Sequence, residues 1–524
     1  MVAAQNGNSE CIKILADLKA DVNHRAYSDG HTALTLAAEN GHTSSAKLLL
    51  NLKANIDDVN SEGNTSVILS TRKGHADCLA FLADQSADIN KSDLNGYSPI
   101  IIAAQFGQTE CLRTLLRLKA DLQSRTRRSQ STAIMVAAQY GHTDCIQLLF
   151  DQKADVHLLD KKGRNAVSAA AHWGQIDSLK LLLLHRADPN VSDIAGWRPV
   201  MMAAYNGHIE CVQLLAEQGA NLIAREQSTG FTAVNLAASA GRAECVELLA
   251  MYRADVGQEE HGGFTPAMFA AQQGRADLLD MLSEEYKVDL NRRALATGYT
   301  ATMLAAVSGS ADCLRVLARH GANIDEAALD GDTALILAAA RGYTECVHVL
   351  AREFLATVGT RDGVGATALA AAVLGGHWKT AALLVDAGGK DLLLVRDDAG
   401  RTCLGRAMEM GEVDKCTRLA RRLGPAAEDV LLQAAAEART AQAAAARRGL
   451  EQSAAEAGKM EPFRGAEGAV RVRDGLVGFR GSLGSARARA FCPRRARAYF
   501  ELEVVRAGTG FAAGFCSERS APSS

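Results

Sequence analysis

A single glycine, returning at almost constant intervals, limits what this chain can become more than anything else in it. It stands at Gly7, Gly41, Gly74, Gly107, Gly141, Gly174, Gly207, Gly241, Gly274, Gly309, Gly342, Gly376 and Gly411, with spacings of 33 to 35 residues. Residues 193–223 show what each interval contains. Asp193 to Gly196 is a turn signal. Pro199 opens a short helix at a first-turn position, where its missing N–H does no harm. Val200, Met201, Ala203 and Ala204 give that helix an apolar face. Gly207 breaks it, and a second helix follows with Ile209, Val212, Leu214 and Leu215 facing inward. Gly219 ends that helix as a left-handed cap. A turn plus two short helices cannot bury its apolar face alone, so it needs copies above and below.

A period near 33 with this internal order resembles the ankyrin-repeat family over residues 1–424. The resemblance implies an all-α solenoid of about twelve full repeats plus an N-terminal partial one, each a turn and two antiparallel helices. The first helices open with Thr or Ser, a fitting N-cap. The copies depart from the family in two ways. The His of its Thr-Pro-Leu-His element is missing, with Thr35, Ile68, Ile101 and Met135 in its place in four of them. The glycine kept at Gly219 and Gly321 becomes Lys19, Lys53, Lys119, Lys153, Arg186 and Arg253. A side chain at positive φ costs roughly 1 kcal/mol, and a cation at a helix C-terminus returns about 0.3–1 kcal/mol, so the exchange is near neutral. These cations read either as a basic stripe or as solvated helix ends.

Beyond the repeats, residues 425–461 are rich in Ala, Glu, Arg and Gln without a clean heptad, which predicts a helical linker. From residue 462 the pattern changes to period two. Gly-Ser-Ala-Arg-Ala (484–488), Arg497 to Val505 and Gly510 to Phe515 resemble the opening of a SPRY domain, a peptide-binding β-sandwich in that family. The resemblance covers about residues 463–516 and implies a small, truncated β domain within 462–524. The chain also starts in mid-repeat and so reads as a fragment at both ends.

Twelve cysteines occur in 524 residues. Eight, from Cys11 to Cys346, sit four residues after a repeat glycine, a slot filled elsewhere by Ser45 and Ser178. Neighbouring repeats lie about 8–10 Å apart, beyond the reach of a disulfide. They read as free core thiols in a reducing compartment, which together with the missing signal peptide predicts a cytoplasmic or nuclear location. No nucleotide-binding GxxxxGK[ST], no HExxH and no Cys/His cluster occurs. His42, His75, His142, His208 and His377 follow the repeat glycine one or more repeats apart, which rules out a shared metal ion. No enzyme activity, cofactor or metal is expected, and no apolar run is long enough to cross a membrane.

Binding in a solenoid comes from its variable positions. Phe106, Tyr140 and Trp173 each precede the repeat glycine in three consecutive repeats, and Tyr205 sits one place earlier in the next. Stacked at one phase they form an aromatic strip on the concave side, the residue type that dominates binding hot spots. A second set, Tyr97, Trp197, Phe231, Phe264 and Tyr299, lies between the turn glycine and the Thr position. It reads either as partner contacts or as covers for the turn. The turn at Ser124 to Arg128 is basic and lacks the usual Asp-x-x-Gly; it reads as a solvated tip or a contact for an acidic partner. Residues 463–524 carry 11 Arg and 5 acids, a charge of +6 that leaves −9 for the rest. Nucleic-acid binding has no supporting motif. The expected function is a non-enzymatic scaffold binding protein partners along the concave groove and turn tips. The alternative is the recognition arm of a larger protein, a ubiquitin-ligase substrate receptor or the cytoplasmic part of a channel. Oligomeric state is not legible in the residues.

Overall fold

The computed structural model describes residues 1–389, 391–422 and 427–457. Thirteen helix pairs run from Val2 to Ala420, each built like Pro99–Phe106 followed by Thr109–Arg117. All thirteen repeat glycines take φ between +66° and +89°. Among the described residues there are no strands, only three isolated bridges that close turns, such as Ala327 with Thr333. No described helix is long and apolar enough to cross a membrane.

Alanine sets the curvature. Pairs such as Ala103-Ala104, Ala137-Ala138 and Ala203-Ala204 are fully buried, and they let the first helices of adjacent repeats approach closely. The second helices, which bury Leu and Cys, approach one another less closely. The stack therefore bends with its first helices on the inner side; these are called inner helices below, and their partners outer helices.

The repeat glycine does more than break a helix. A Cβ on Gly7, Gly41, Gly107 or Gly174 would lie under 3 Å from the imidazole of the next repeat's His42, His75, His142 or His208. Each of those rings reaches over the glycine and donates through Nε2 to a carbonyl one repeat back. His42 reaches Gln5 at 3.0 Å, and His142 and His208 reach Gln105 and His172 at 3.1 Å. The histidines placed by sequence at a phase position are thus interlayer ties. The turns, which project as fingers, are tied too: Leu94 N–H donates to Glu62 O, Arg127 to Asn95, Lys161 to Ser129 and Ile194 to Lys162, at 2.8–3.2 Å.

The expected left-handed caps are present. Lys19, Lys53, Lys119, Lys153, Arg186 and Arg253 have φ between +58° and +65°. The N-caps hold for Thr32, Thr65, Thr232 and most others, whose side chains accept from the N–H three residues on. They fail at Ser98 and Thr132, whose buried hydroxyls have no partner. All ten cysteines among the described residues are free, and only Cys11 is exposed. The buried slot prefers a small polarisable group that meets a hydroxyl from the preceding repeat. Ser9 bonds Ser45 at 3.1 Å, and Thr109 Oγ1 lies 4.0 Å from Cys145 Sγ.

The helical stretch after the repeats is not wholly a spacer. The helix Ala427–Ala457 lays Val430, Ala434 and Ala438 against the last inner helix, Cys403–Glu409. Glu437 accepts from Thr402 N–H at 3.0 Å and Thr402 Oγ1 at 2.7 Å, and pairs with Arg396 at 2.8 Å. Its first turns therefore close the end of the stack, where an apolar face would otherwise meet water. The β domain expected over 462–524 lies outside the described residues.

Candidate functional site

Phe106, Tyr140 and Trp173 are the last residues of three successive inner helices, Pro99–Phe106, Ala133–Tyr140 and Ala166–Trp173. The left-handed glycine that follows each turns the backbone away and leaves the ring at the helix end. All three rings face solvent, at 45%, 45% and 54% exposure. Neighbouring polar groups touch two of them, Tyr140 and Trp173. Gln105 Nε2 donates to the Tyr140 hydroxyl at 3.4 Å, Tyr140 lies parallel to His142 with centroids 6.4 Å apart, and His172 meets Trp173 edge-on at 5.4 Å. Burial holds the His172 imidazole below its usual range, and Arg164, His208 and Lys162 act in the same direction. That histidine is therefore neutral at neutral pH.

Tyr205 does not join the strip. It is half-buried, with its ring edge-on to Trp197 at 5.7 Å. Asn206 takes the next place in the column and approaches His172 Nδ1 at 3.3 Å. At the other end stands Lys73, 3.8 Å from Glu39. The strip is thus three rings long with polar ends.

The second aromatic set occupies the opposite end of the inner helices. Tyr97, Trp197, Phe231, Phe264 and Tyr299 are all half-buried against the core. Phe231 and Phe264 both pack on Phe269, at 5.4 and 5.5 Å. Phe269 is buried in the helix Pro266–Gln272, and sequence reasoning passed over it because a lone aromatic among alanines carries no periodic signal. The backbone N–H groups of Tyr97, Trp197 and Phe264 close their own turns by donating to Asp93, Asp193 and Glu260 at 2.8–3.0 Å. This packing is that of turn covers. Burial pushes the Tyr97 phenol above the usual range, Tyr140 and Asp93 push the same way, and Arg128 opposes them.

The basic turn keeps its shape without aspartate or glycine. Thr126 Oγ1 accepts from Ser131 N–H at 3.0 Å, and Gln130 takes φ +59°. Arg125 is used internally, donating to Leu159 O at 2.8 Å and Gln130 O at 3.2 Å. Arg127 and Arg128 stay exposed.

Elsewhere, Glu345, His348 and Glu353 bring ligand atoms within 4.8 Å of one another. Arg315 occupies that cluster, bonding Glu345 at 2.6 Å and Glu353 at 3.1 Å, so the carboxylates already have their cation. Burial pushes the thiols of Cys111, Cys211, Cys403 and Cys416 up to about 12, far from nucleophilic reactivity at neutral pH.

The family model described as ankyrin repeats (3 copies) matches residues 1–93, 50–126, 100–193, 167–260, 200–294 and 267–362, which together cover well over half of the chain. No curated protein matches it. With the helix pairs, the left-handed glycines and the interlayer ties in place, the chain belongs to the ankyrin-repeat family.

Proposed function

We propose that the chain is a non-enzymatic scaffold that holds a protein partner on its concave side, with Phe106, Tyr140 and Trp173 as the anchor. Ankyrin repeats are protein–protein interaction modules, and the family supplies that coarse statement. One observation carries the finer one. The turn aromatics are at least half-buried, whereas three rings at one phase of consecutive repeats face solvent. Large exposed aromatics in a row mark interaction surfaces, since burying each releases apolar area from water. The free thiols support a reducing compartment, cytoplasm or nucleus, as the place of action.

The test is affinity purification with the full chain beside the Tyr140→Ala plus Trp173→Ala variant. Specific partners are retained by the parent and lost by the variant, while the circular-dichroism melt of the variant stays within a few degrees. An unchanged set of captured proteins removes the strip from the binding surface. A collapsed melt makes the rings structural.

A further inference from the structure

The two fingers beside the aromatic strip differ from every other finger of the stack. Their tips carry Arg127-Arg128 and Lys161-Lys162. The flanking fingers have Leu94-Asn95 and Ile194-Ala195 in the same place, and no other tip between Tyr27 and Asp398 holds Lys or Arg at these two positions. All four side chains are exposed, and none has a carboxylate partner among the described residues. Of the acids nearby, Asp160 is occupied by Arg164 at 2.8 Å and by the N–H groups of Lys162 and Arg164, while Asp93 and Asp193 accept from backbone N–H groups of their own fingers. The tips are neighbours, because Arg127 N–H bonds Asn95 O, Lys161 N–H bonds Ser129 O, and Ile194 N–H bonds Lys162 O.

The two fingers that bear these cations lead directly into the inner helices Ala133–Tyr140 and Ala166–Trp173, which end in two of the strip's three rings. The inner-helix positions before the three rings are Gln105, Gln139 and His172, so no acid competes along the floor. Charge and apolar contact therefore coincide in two of the strip's three repeats, those of Tyr140 and Trp173.

We propose that the concave surface of these repeats binds an extended, acidic protein segment whose carboxylates meet Arg127, Arg128, Lys161 and Lys162 while its apolar side chains lie on Phe106, Tyr140 and Trp173. This rests on the scaffold reading above and adds the chemistry of the partner. Three layers at about 8–10 Å each span about 20 Å, which an extended segment covers with about six to eight residues. A polypeptide fits better than a nucleic acid. The chain's net charge is −3, and −9 outside residues 463–524, so its long-range field repels a polyanion. A few carboxylates held at close range need only the local cations, within a Debye length of about 8 Å at physiological salt.

The experiment uses the full chain and a fluorescein-labelled synthetic peptide in which Glu pairs alternate with Leu and Phe, read by fluorescence anisotropy. Controls are the same peptide with Gln for Glu, one with Lys for Glu, and labelled single-stranded DNA. The acidic peptide is expected to bind at least about tenfold more tightly than the Gln peptide, and to weaken about tenfold between about 50 and 500 mM salt. Arg128→Glu plus Lys162→Glu, both at exposed positions and checked for an unchanged circular-dichroism melt, reverses the order in favour of the Lys peptide. Absence of acidic-peptide binding, equal affinity for the Gln peptide, or indifference to the charge reversal overturns the proposal. So does tighter binding of the DNA through the same residues.

The two levels of the reading separate. If the Gln peptide binds as well as the acidic one but needs Tyr140 and Trp173, the strip stands and the charge preference falls. If the charge reversal matters and Tyr140→Ala plus Trp173→Ala does not, the strip falls, and the proposed segment falls with it.

Discussion

The two ends of the inner helices use the same residue type for opposite purposes. At the end entered from the finger, Phe231 and Phe264 cover Phe269 and are themselves half-buried. At the end leaving toward the outer helix, Phe106, Tyr140 and Trp173 all face solvent, and Tyr140 and Trp173 meet polar neighbours. Position within the repeat decides which. A residue after the turn glycine lies under the next finger, since the fingers stack by backbone hydrogen bonds. A residue before the repeat glycine has above it only the end of the next inner helix. An aromatic's role in a solenoid therefore follows from its phase, and only the exposed phase is free for a partner.

The largest effect expected from this contrast is at Phe269. Phe269→Ala leaves a cavity beneath two other rings and costs about 3–5 kcal/mol in urea-induced unfolding. A loss under about 1 kcal/mol would mean that the finger end is loosely packed, and the contrast between the two ends would disappear.

Next come the glycines. Gly174 directly follows Trp173; it has φ +71°, and an added Cβ would lie 2.5 Å from His208 Nδ1. Gly174→Ala combines about 1 kcal/mol of backbone strain with loss of the His208 tie to His172, about 2–3 kcal/mol together. Gly321 has φ +79° with nothing within 4 Å, so Gly321→Ala costs only the strain, about 1 kcal/mol. Equal losses at the two sites would show that the imidazole contributes nothing to layer stacking.

A third, smaller effect separates the fingers by pH. Burial favours a neutral Glu226, yet hydrogen bonds from Thr229 and Ser228 overcome it and hold the carboxyl below its ordinary range. The unfolded chain then takes up the proton more readily than the folded one. The stabilisation is complete above the ordinary carboxylate range and is lost as pH falls through the folded value. Glu226→Gln therefore costs about 1–2 kcal/mol at neutral pH and progressively less in acid. A cost that does not change with pH would assign the finger's order to its backbone alone.

The solenoid was legible because its period repeats thirteen times, and the left-handed caps were legible because Gly219 and Gly321 share a slot with Lys119 and Arg253. The exposed strip was legible by phase. Tyr205 was misplaced into it, because one residue of offset on a helix turns a side chain by about 100°, here toward Trp197. Phe269 carries no repeating signal. The interlayer role of His208 was invisible because its acceptor, the His172 carbonyl, lies 36 residues earlier. The docking of the Ala427–Ala457 helix was also hidden. It depends on Glu437 meeting Thr402, a contact that amino-acid composition does not encode.

The smallest stability change expected is in the strip itself, and it is set by the offset that separates Trp173 from Tyr205. Trp173→Ser removes a ring that already faces water, and unfolding by urea shifts by about 0.5 kcal/mol or less. Tyr205→Ser removes the edge-on contact with Trp197 and a half-buried side chain, and costs about 1–2 kcal/mol. In partner capture the order reverses, with Trp173→Ser losing binding and Tyr205→Ser keeping it once the protein is folded. The two variants together test whether exposure marks function here. If Tyr205→Ser lost the partner while Trp173→Ser kept it, the anchor would lie one turn of side chains deeper, in the layer formed with Trp197.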